Sequence, residues 1–521
     1  MKIASQADLK RIDETFLKTT GMTETELIAG AGKTVADFIR GELRIPGTVG
    51  IAVICGGGNN GADGFATAMA LIGSGFSGVR IYAAKPRAAL RPSTAWFYER
   101  LERAVTDISE KEKFEKAKDG ISGAEVVVDC LLGTGVNAAV TGLFAEIVAF
   151  VNSLGKKVVS VDLPSGFYSD SADLPAVHID PGVTVAIGLP KISLVMGPAK
   201  YHRGKLYVRN IGFGDELLKD PVMKTNLYDE KLAKEDLPAR PDDSFKGYFG
   251  HCAIWAGSEG KAGAAGLASI ASLRTGAGLT TVLGERNVLS IIAGFHPEVM
   301  TAPVSFESPA DEAEEAMIRI LKDKTVVLAG PGLGTSDKTK EYFRRLMKNY
   351  RGPLVLDADA INMLAPEQAL LKEFMGRLVL TPHPGEISRL LGREVDKIDD
   401  SVIEAARAYA KEKNAWIVLK SSDTLVFDPS DGQVWLNSTG NAGLAKAGSG
   451  DVLAGIITGI LSQKFGLEKR LGTKFDFTRA LCFAVWLHGR AADLAAEKTD
   501  MRSMIAGDVI GAISDAYRSI T

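Results

Sequence analysis

A chain of 521 residues is too long for one ordinary hydrophobic core, so two domains are expected. Hydrophobic content of 46% and charged content of 24% fit a soluble globular protein, and a net charge of -3 gives no attraction to nucleic acid or anionic membranes. The N-terminus MKIASQADLKRIDETF has no apolar core of signal-peptide length, and no stretch reaches a membrane-spanning length. Cys55, Cys130, Cys252 and Cys482 are far apart, with neither metal-ligand spacing nor a disulfide framework. A cytoplasmic location is expected.

Along the first half, Ser5 is placed to cap one helix, and residues 24–39 read as a second. Residues 49–54 are a short apolar run of buried-strand type, followed at once by GGGNNGADGFATAMALI. Strand, glycine loop and helix is the layout that offers unpaired amides to phosphate groups. Gly56, Gly58 and Gly61 satisfy G-x-G-x-x-G, which raises a dinucleotide-binding Rossmann site. Such a site wants a carboxylate at the end of the next strand for the ribose hydroxyls. That strand, 79–84, runs instead into Lys85 and Pro86, which argues against a hydride-transferring dehydrogenase. Asn59, Asn60 and Asp63 are polar groups a phosphate turn does not need; they suggest a ligand with donors and acceptors, or a cation.

Two further strand–loop units follow: 125–129 into CLLGTG, and 157–161 into DLPSG. An Asp stands where each apolar strand ends, and parallel strands all open on one edge. Asp63, Asp129 and Asp162 are therefore expected to converge on one pocket, although any one alone could be a cap.

From 215 to 243 the chain mixes Lys, Asp and Glu with Pro221, Pro238 and Pro241, the composition of a junction. Domains are expected over 1–215 and 243–521, with 216–242 as linker. The second half opens as strand, glycine loop, small-residue helix, strand. Strand-like runs at 325–329, 353–356, 377–380 and 416–419 alternate with helical patterns, as in 402–413, where Val402, Ala405, Ala406 and Tyr409 share a face. The alternation predicts a mainly parallel sheet covered on both sides. The strand ends are Gly330-Pro331-Gly332, Asp357-Ala358-Asp359, the run Thr381 to Glu386, and Lys420. His383, stiffened between two prolines, is expected to face the edge and touch ligand. Lys420, Ser421, Ser422, Asp423 and Thr424 suit a nucleotide phosphate or base edge, or else form an ordinary strand-ending turn.

The stretch NAGLAKAGSGDVLAGIITGI, residues 441–460, sets Gly448, Ser449 and Gly450 before a helical run. A helix starting there aims amides and the positive end of its dipole at an anion. Asp451 in its first turn can take a proton from a reacting hydroxyl. The plainer reading is a glycine turn capped by Asp.

GGGNNGADG, VVVDCLLGTG, VDLPSG and GLPK…GKLYVRNIGFG resemble the NAD(P)HX epimerase domain of the YjeF N-terminal type. AGPGLG, LDADAIN, LTPHPGE and NSTGNAGLAKAGSGDVLAG resemble the ADP- or ATP-dependent NAD(P)HX dehydratases of the ribokinase-like superfamily. The resemblance implies an N-terminal Rossmann-like three-layer α/β/α domain and a C-terminal ribokinase-like α/β domain, joined in a bifunctional repair enzyme. It implies that Asn59, Asn60, Gly61, Ala62, Asp63 and the loop Gly133, Thr134, Gly135, Val136, Asn137, Ala138, Ala139 hold the hydrated cofactor. Asp162 would transfer the proton, and Asn60, Asp129 and Ser165 would ligate K⁺. In the second half it places Ala264, Gly332, His383 and Asp451 on the hydrate, and Lys420 to Thr424 with Gly450 on an adenine nucleotide accompanied by Mg²⁺. Implied partners are NADHX, NADPHX and ADP or ATP, with a homo-oligomer expected. The sequence departs from the family at Ala62, where a second glycine is usual, and in Val136 to Val140, where a basic residue and proline are usual. Those departures keep open a reading of the first half as a non-catalytic nucleotide-binding module; the rival for the second half is a ribokinase-like small-molecule kinase with a stable phosphorylated product.

Overall fold

The computed structural model describes residues 1–304, 310–374 and 376–521. It divides into two compact units, Met1–Thr225 and Asn226–Thr521.

The first unit is built on seven strands: β1 (Ile51–Cys55), β2 (Val79–Ala83), β3 (Val105–Asp107), β4 (Val126–Cys130), β5 (Lys157–Val161), β6 (Val183–Ile187) and β7 (Lys205–Arg209). Their order is β3-β2-β1-β4-β5-β6-β7, and all pairs are parallel. Successive residues of a strand face opposite sides. Ile51, Val53 and Cys55 join one core with the helices Glu24–Gly41 and Asn59–Gly73, while Ala52 and Ile54 join another with Phe114 and Val148. The result is a three-layer sandwich. Ser5 and Asp8 close a capping box on the helix Gln6–Thr20, and Thr23 and Glu26 do the same for Glu24–Gly41. Chain order reverses direction across β1 and β4, the point in such sheets where a crevice opens beyond the strand ends.

The second unit carries β8 (Thr225–Tyr228), β9 (His251–Trp255), β10 (Leu279–Gly284), β11 (Met300–Pro303), β12 (Val326–Ala329), β13 (Leu354–Leu356), β14 (Leu378–Leu380), β15 (Ala415–Leu419), β16 (Leu425–Phe427) and β17 (Val434–Asn437). The sheet order is β11-β10-β9-β12-β13-β14-β15-β16-β17-β8. It is parallel from β11 to β15 and turns antiparallel at β16 and β17. The helices Ala262–Thr275, Ser449–Leu471 and Phe477–Lys498 supply much of its main core. Gly455 lets the first two approach, since a methyl there would lie 2.3 Å from the Ala268 carbonyl oxygen.

The segment 216–242 is structured. β8 pairs at the edge of the second sheet, where the Asn226 amide donates to Gln433 Oε1 at 2.7 Å. The helix Glu230–Asp236 follows, and Asp236 accepts from Tyr228 Oη at 2.7 Å and Arg479 Nε at 2.6 Å. At least part of the segment's charge therefore has partners within the second unit. Among the described residues no helix is long and apolar enough to cross a membrane.

Candidate functional site

In the first unit the ends of β1, β4 and β5 bring two polar groupings together. One surrounds Asp129, which is buried at the end of β4 and accepts from Ser165 N (2.9 Å), Ser160 Oγ (2.7 Å) and Ser165 Oγ (2.5 Å). Burial pushes its carboxyl up, and these hydrogen bonds oppose the shift. Leu132 N donates to Ser165 Oγ at 2.8 Å, and the Asn60 amide donates to Leu132 O at 2.6 Å. Asn60 Oδ1 is buried and lacks a hydrogen-bond partner among the described residues. An orphaned buried acceptor beside a carboxylate and a hydroxyl is an oxygen donor set suited to a hard cation, so these three residues fit K⁺. The glycines permit the closeness: a methyl on Gly61 would lie 2.0 Å from Gly56 O, and one on Gly133 would lie 2.8 Å from Asn60 Cβ.

The other grouping centres on Lys191, whose side chain is 1% exposed. Its ammonium is paired with Asp162 and donates to Ile187 O at 3.2 Å. Asp162, directly after β5, has a left-handed backbone (φ +67°), and its carboxylate also accepts from Ile187 N at 3.1 Å. That conformation is uncommon for a non-glycine residue, with Asp among those that adopt it most readily. Two more carboxyls feel this pair. Burial, then the Asp162 charge, push Asp13 up to about 6. Burial, then Asp162 and Asp13, push Asp63 up as well. Ala62 is fully buried in an ordinary helical turn and is not among the positive-φ residues, so its methyl is accommodated without backbone strain. Asn59, exposed, accepts from Arg91 Nη1 at 3.1 Å. The segment 133–139 is an open loop with Gly135, Asn137, Ala138 and Ala139 exposed.

The second unit repeats the theme at the ends of β13, β14 and β15. Lys420 Nζ lies 2.5 Å from Asp357 Oδ1 and 3.9 Å from Glu386 Oε2. Thr381 Oγ1 also donates to Asp357 Oδ1, at 2.7 Å. Burial works against the lysine's charge, yet Asp357 and Glu386 outweigh it and hold the ammonium above its usual range. Glu386 is itself raised, chiefly by burial. His383 caps the helix Pro384–Leu391: its Nδ1 accepts from Gly385 N at 3.0 Å, and its Nε2 is 3.3 Å from Glu386 Oε1. Burial and then Lys420 hold its ring below the usual histidine range. Gly448, with φ +88°, opens the helix Ser449–Leu471, and Gly450 lies beside Lys420, where a methyl would be 3.5 Å from Nζ. In that first turn burial, then the Asp357 charge, push Asp451 up to about 6. His488, buried in the helix Phe477–Lys498, is driven down to about 4 by burial and then by Lys420. Ala264 and Gly332 meet each other past β9 and β12. Helix amides, a half-buried base and a fixed cation suit proton abstraction next to an anionic ligand.

The family described as NAD(P)H-hydrate dehydratase matches residues 252–514, and that described as YjeF-related protein N-terminus matches 24–193. A bifunctional NAD(P)H-hydrate repair enzyme of Moorella thermoacetica is 34% identical, covering 100% of this chain and 97% of its own length. The chain belongs to this family of bifunctional repair enzymes. A second member, from Thermofilum pendens, is 31% identical over 100% of this chain and 97% of its own. A solved ADP/ATP-dependent NAD(P)H-hydrate dehydratase from Bacillus subtilis, co-crystallised with ATP/Mg²⁺, is 28% identical over 57% of this chain and 100% of its own, with TM-score 0.49.

Within this family member, Asn60, Asp129 and Ser165 form one connected set, while Asp63 and Asp162 share another with two residues the sequence reading passed over, Asp13 and Lys191. Lys191 ends the GLPK motif; Asp13 lies in a helix with no local signature. In the second unit Asp357 and Glu386, inside LDADAIN and LTPHPGE, were read only as strand-end polar residues, and His488 was not singled out. The KSSDT segment forms a turn directly after β15. Its lysine faces the carboxylates, and Ser421 and Ser422 donate to Asp423 O (2.8 Å) and Asp423 Oδ2 (3.2 Å) within their own turn.

A carboxyl held near 6 rather than 3.8 binds its proton more tightly when folded. Its stabilising share is complete below about 4 and is lost as pH rises through about 6. Asp451→Asn is therefore expected to be more stable than the parent at pH 8, on the order of 1–3 kcal/mol, with the difference shrinking toward pH 4. Denaturant melts at the two pH values check it; an equal difference at both contradicts the assignment.

Proposed function

We propose that this chain repairs hydrated NAD(P)H in two steps. The first unit interconverts the R and S epimers of NAD(P)HX, and the second dehydrates the S form at the expense of ADP or ATP. Asp451 carries the reading: a half-buried carboxyl pushed up to about 6, in the first turn of a helix whose glycine-flanked amides face the same edge. Membership of the repair family supports the substrate.

In the second unit Asp451 takes the proton from the hydroxyl on the hydrated nicotinamide ring while that oxygen attacks the terminal phosphorus. The phosphoryl bond to the nucleotide breaks, and the amides of Gly448 to Gly450 stabilise charge on the group in transit. The ring nitrogen's electron pair then expels phosphate, a far better leaving group than hydroxide. Loss of a proton from the adjacent carbon restores NAD(P)H. Ala264, Gly332 and His383 border the hydrate, and Lys420 to Thr424 with Gly450 border the nucleotide. Lys420 acts from beneath, neutralising Asp357 and Glu386 so that Asp451 can ionise near neutral pH. Mg²⁺ would accompany the nucleotide and supply positive charge to its phosphates.

In the first unit Asp162 moves the proton at the hydrated ring, held by Lys191 and backed by Asp13 and Asp63. Asn59 to Asp63 and Gly133 to Ala139 line the cofactor's path. Asn60, Asp129 and Ser165 would hold K⁺, which supplies positive charge and braces the loop.

The test supplies mixed epimers of hydrated NADH with ADP or ATP and follows nicotinamide absorbance. The parent chain is expected to recover both epimers completely. Asp451→Asn is expected to lose recovery by roughly 100-fold or more. A stable phosphorylated product without returning absorbance would contradict the reading and favour a kinase. Asp162→Asn is expected to convert the S epimer at the parent rate and leave R nearly untouched; unchanged consumption of R would make the first unit a binding module only.

A further inference from the structure

Away from both sites, His178, Asp180 and His202 place three ligand-type atoms within 4.8 Å of one another. His178 and Asp180 lie in the connection between β5 and β6, and His202 ends the short turn Pro198–His202 before β7. His202 Nδ1 is 2.8 Å from Asp180 Oδ1, and His178 Nε2 is 3.3 Å from the same oxygen. The imidazole rings are near perpendicular at 82°, with centroids 5.2 Å apart.

Proton accounting makes this grouping unusual. His178 Nδ1 sits 2.7 Å from the Pro175 carbonyl oxygen, which can only accept, so Nδ1 carries the hydrogen. In the neutral ring Nε2 then bears a lone pair. That nitrogen is buried, makes no hydrogen bond among the described residues, and faces a carboxylate oxygen. Two electron-rich atoms facing each other this way call for a positive centre between them. A ligating histidine typically donates its other N–H to a backbone carbonyl, the way His178 is held. The spacing also fits: donors about 2.0–2.1 Å from a Zn²⁺-like ion stand roughly 2.9–3.4 Å apart. The two separations from Asp180 Oδ1 are close to that range.

We propose that His178 Nε2, Asp180 and His202 Nδ1 bind one divalent d-block cation of the Zn²⁺ class. Two imidazoles favour such an ion over K⁺ or Mg²⁺, which prefer oxygen. Asp180 is 56% and His202 41% exposed, so the remaining coordination positions face solvent. The ion clamps the loop beside the first site: Ile179 N donates to Ser165 O at 2.9 Å, and a methyl on Gly166 would lie 2.9 Å from His178 Cα. Occupancy therefore fixes the segment that presents Ser165 to Asp129.

The test uses the full chain without an affinity tag, stripped with chelator and titrated with Zn²⁺ by calorimetry and with Co²⁺ by visible absorption. One equivalent is expected to bind at roughly 10 µM or tighter and to raise the melting temperature, with excess Mg²⁺ and K⁺ present. His202→Gln and Asp180→Asn, both at exposed positions, are expected to lose that equivalent and the shift while melting like the stripped parent. Equal binding by parent and variants, or no saturation of the parent below about 100 µM, overturns the proposal.

Discussion

In each unit one buried ammonium stands among carboxylates at the open end of a parallel sheet, and both sites are arranged around it. Lys191 is paired with Asp162 and acts electrostatically on Asp13 and Asp63; Lys420 serves Asp357 and Glu386 and reaches Asp451. Neither partner tolerates the interior alone, because an unpaired charge there loses its hydration without return. With three acids and one cation, however, the charges cannot all be compensated. Each cluster is left with a carboxyl pushed up to about 6, Asp13 in one and Asp451 in the other. Such a group is ionised at neutral pH yet basic enough to accept a proton.

The fold produces these clusters by geometry. Parallel strands deliver their ends to one edge, and the backbone then turns sharply where a side chain must point back over the sheet. Two of the non-glycine residues with positive φ, Asp162 (+67°) and Ala358 (+48°), stand directly after β5 and beside Asp357. Small residues let the elements close around them: Gly61 and Gly133 beside Asn60, Gly450 beside Lys420.

Much of this was legible in the residues. The run 157–161 is β5 to the residue, and the other strand expectations fall within a residue or two, because buried parallel strands are continuous apolar runs. The two edge strands of the first sheet and the antiparallel pair of the second were not legible. β3 is three residues, β7 is half exposed, and β16 and β17 form a short antiparallel pair, so their membership comes from partners rather than from their own pattern. The segment 216–242 read as a junction because of its charge, and the boundary between the two units lies within it, between Thr225 and Asn226; that it also carries β8 and a helix whose Asp236 meets Arg479 was not legible. At the sites, motifs exposed Asp129, Asp162, Ser165 and Asp451. Asp13 could not be found that way, since it reaches Asp162 across more than a hundred residues of sequence from an amphipathic helix. Lys420 was read for its fit to a nucleotide phosphate or base edge; its pairing with Asp357 and Glu386 depends on residues distant in sequence and was not legible.

The claim that uncompensated burial keeps one acid of each cluster poised near neutrality can be read directly. Carboxyl-carbon NMR of the chain labelled at aspartate, with Asp451→Asn and Asp13→Asn used to assign the two signals, follows each group through pH. Midpoints near 6 for both are the result this account predicts. Midpoints near the ordinary 3.8 would contradict it, because neither cluster would then hold an acid poised near neutrality.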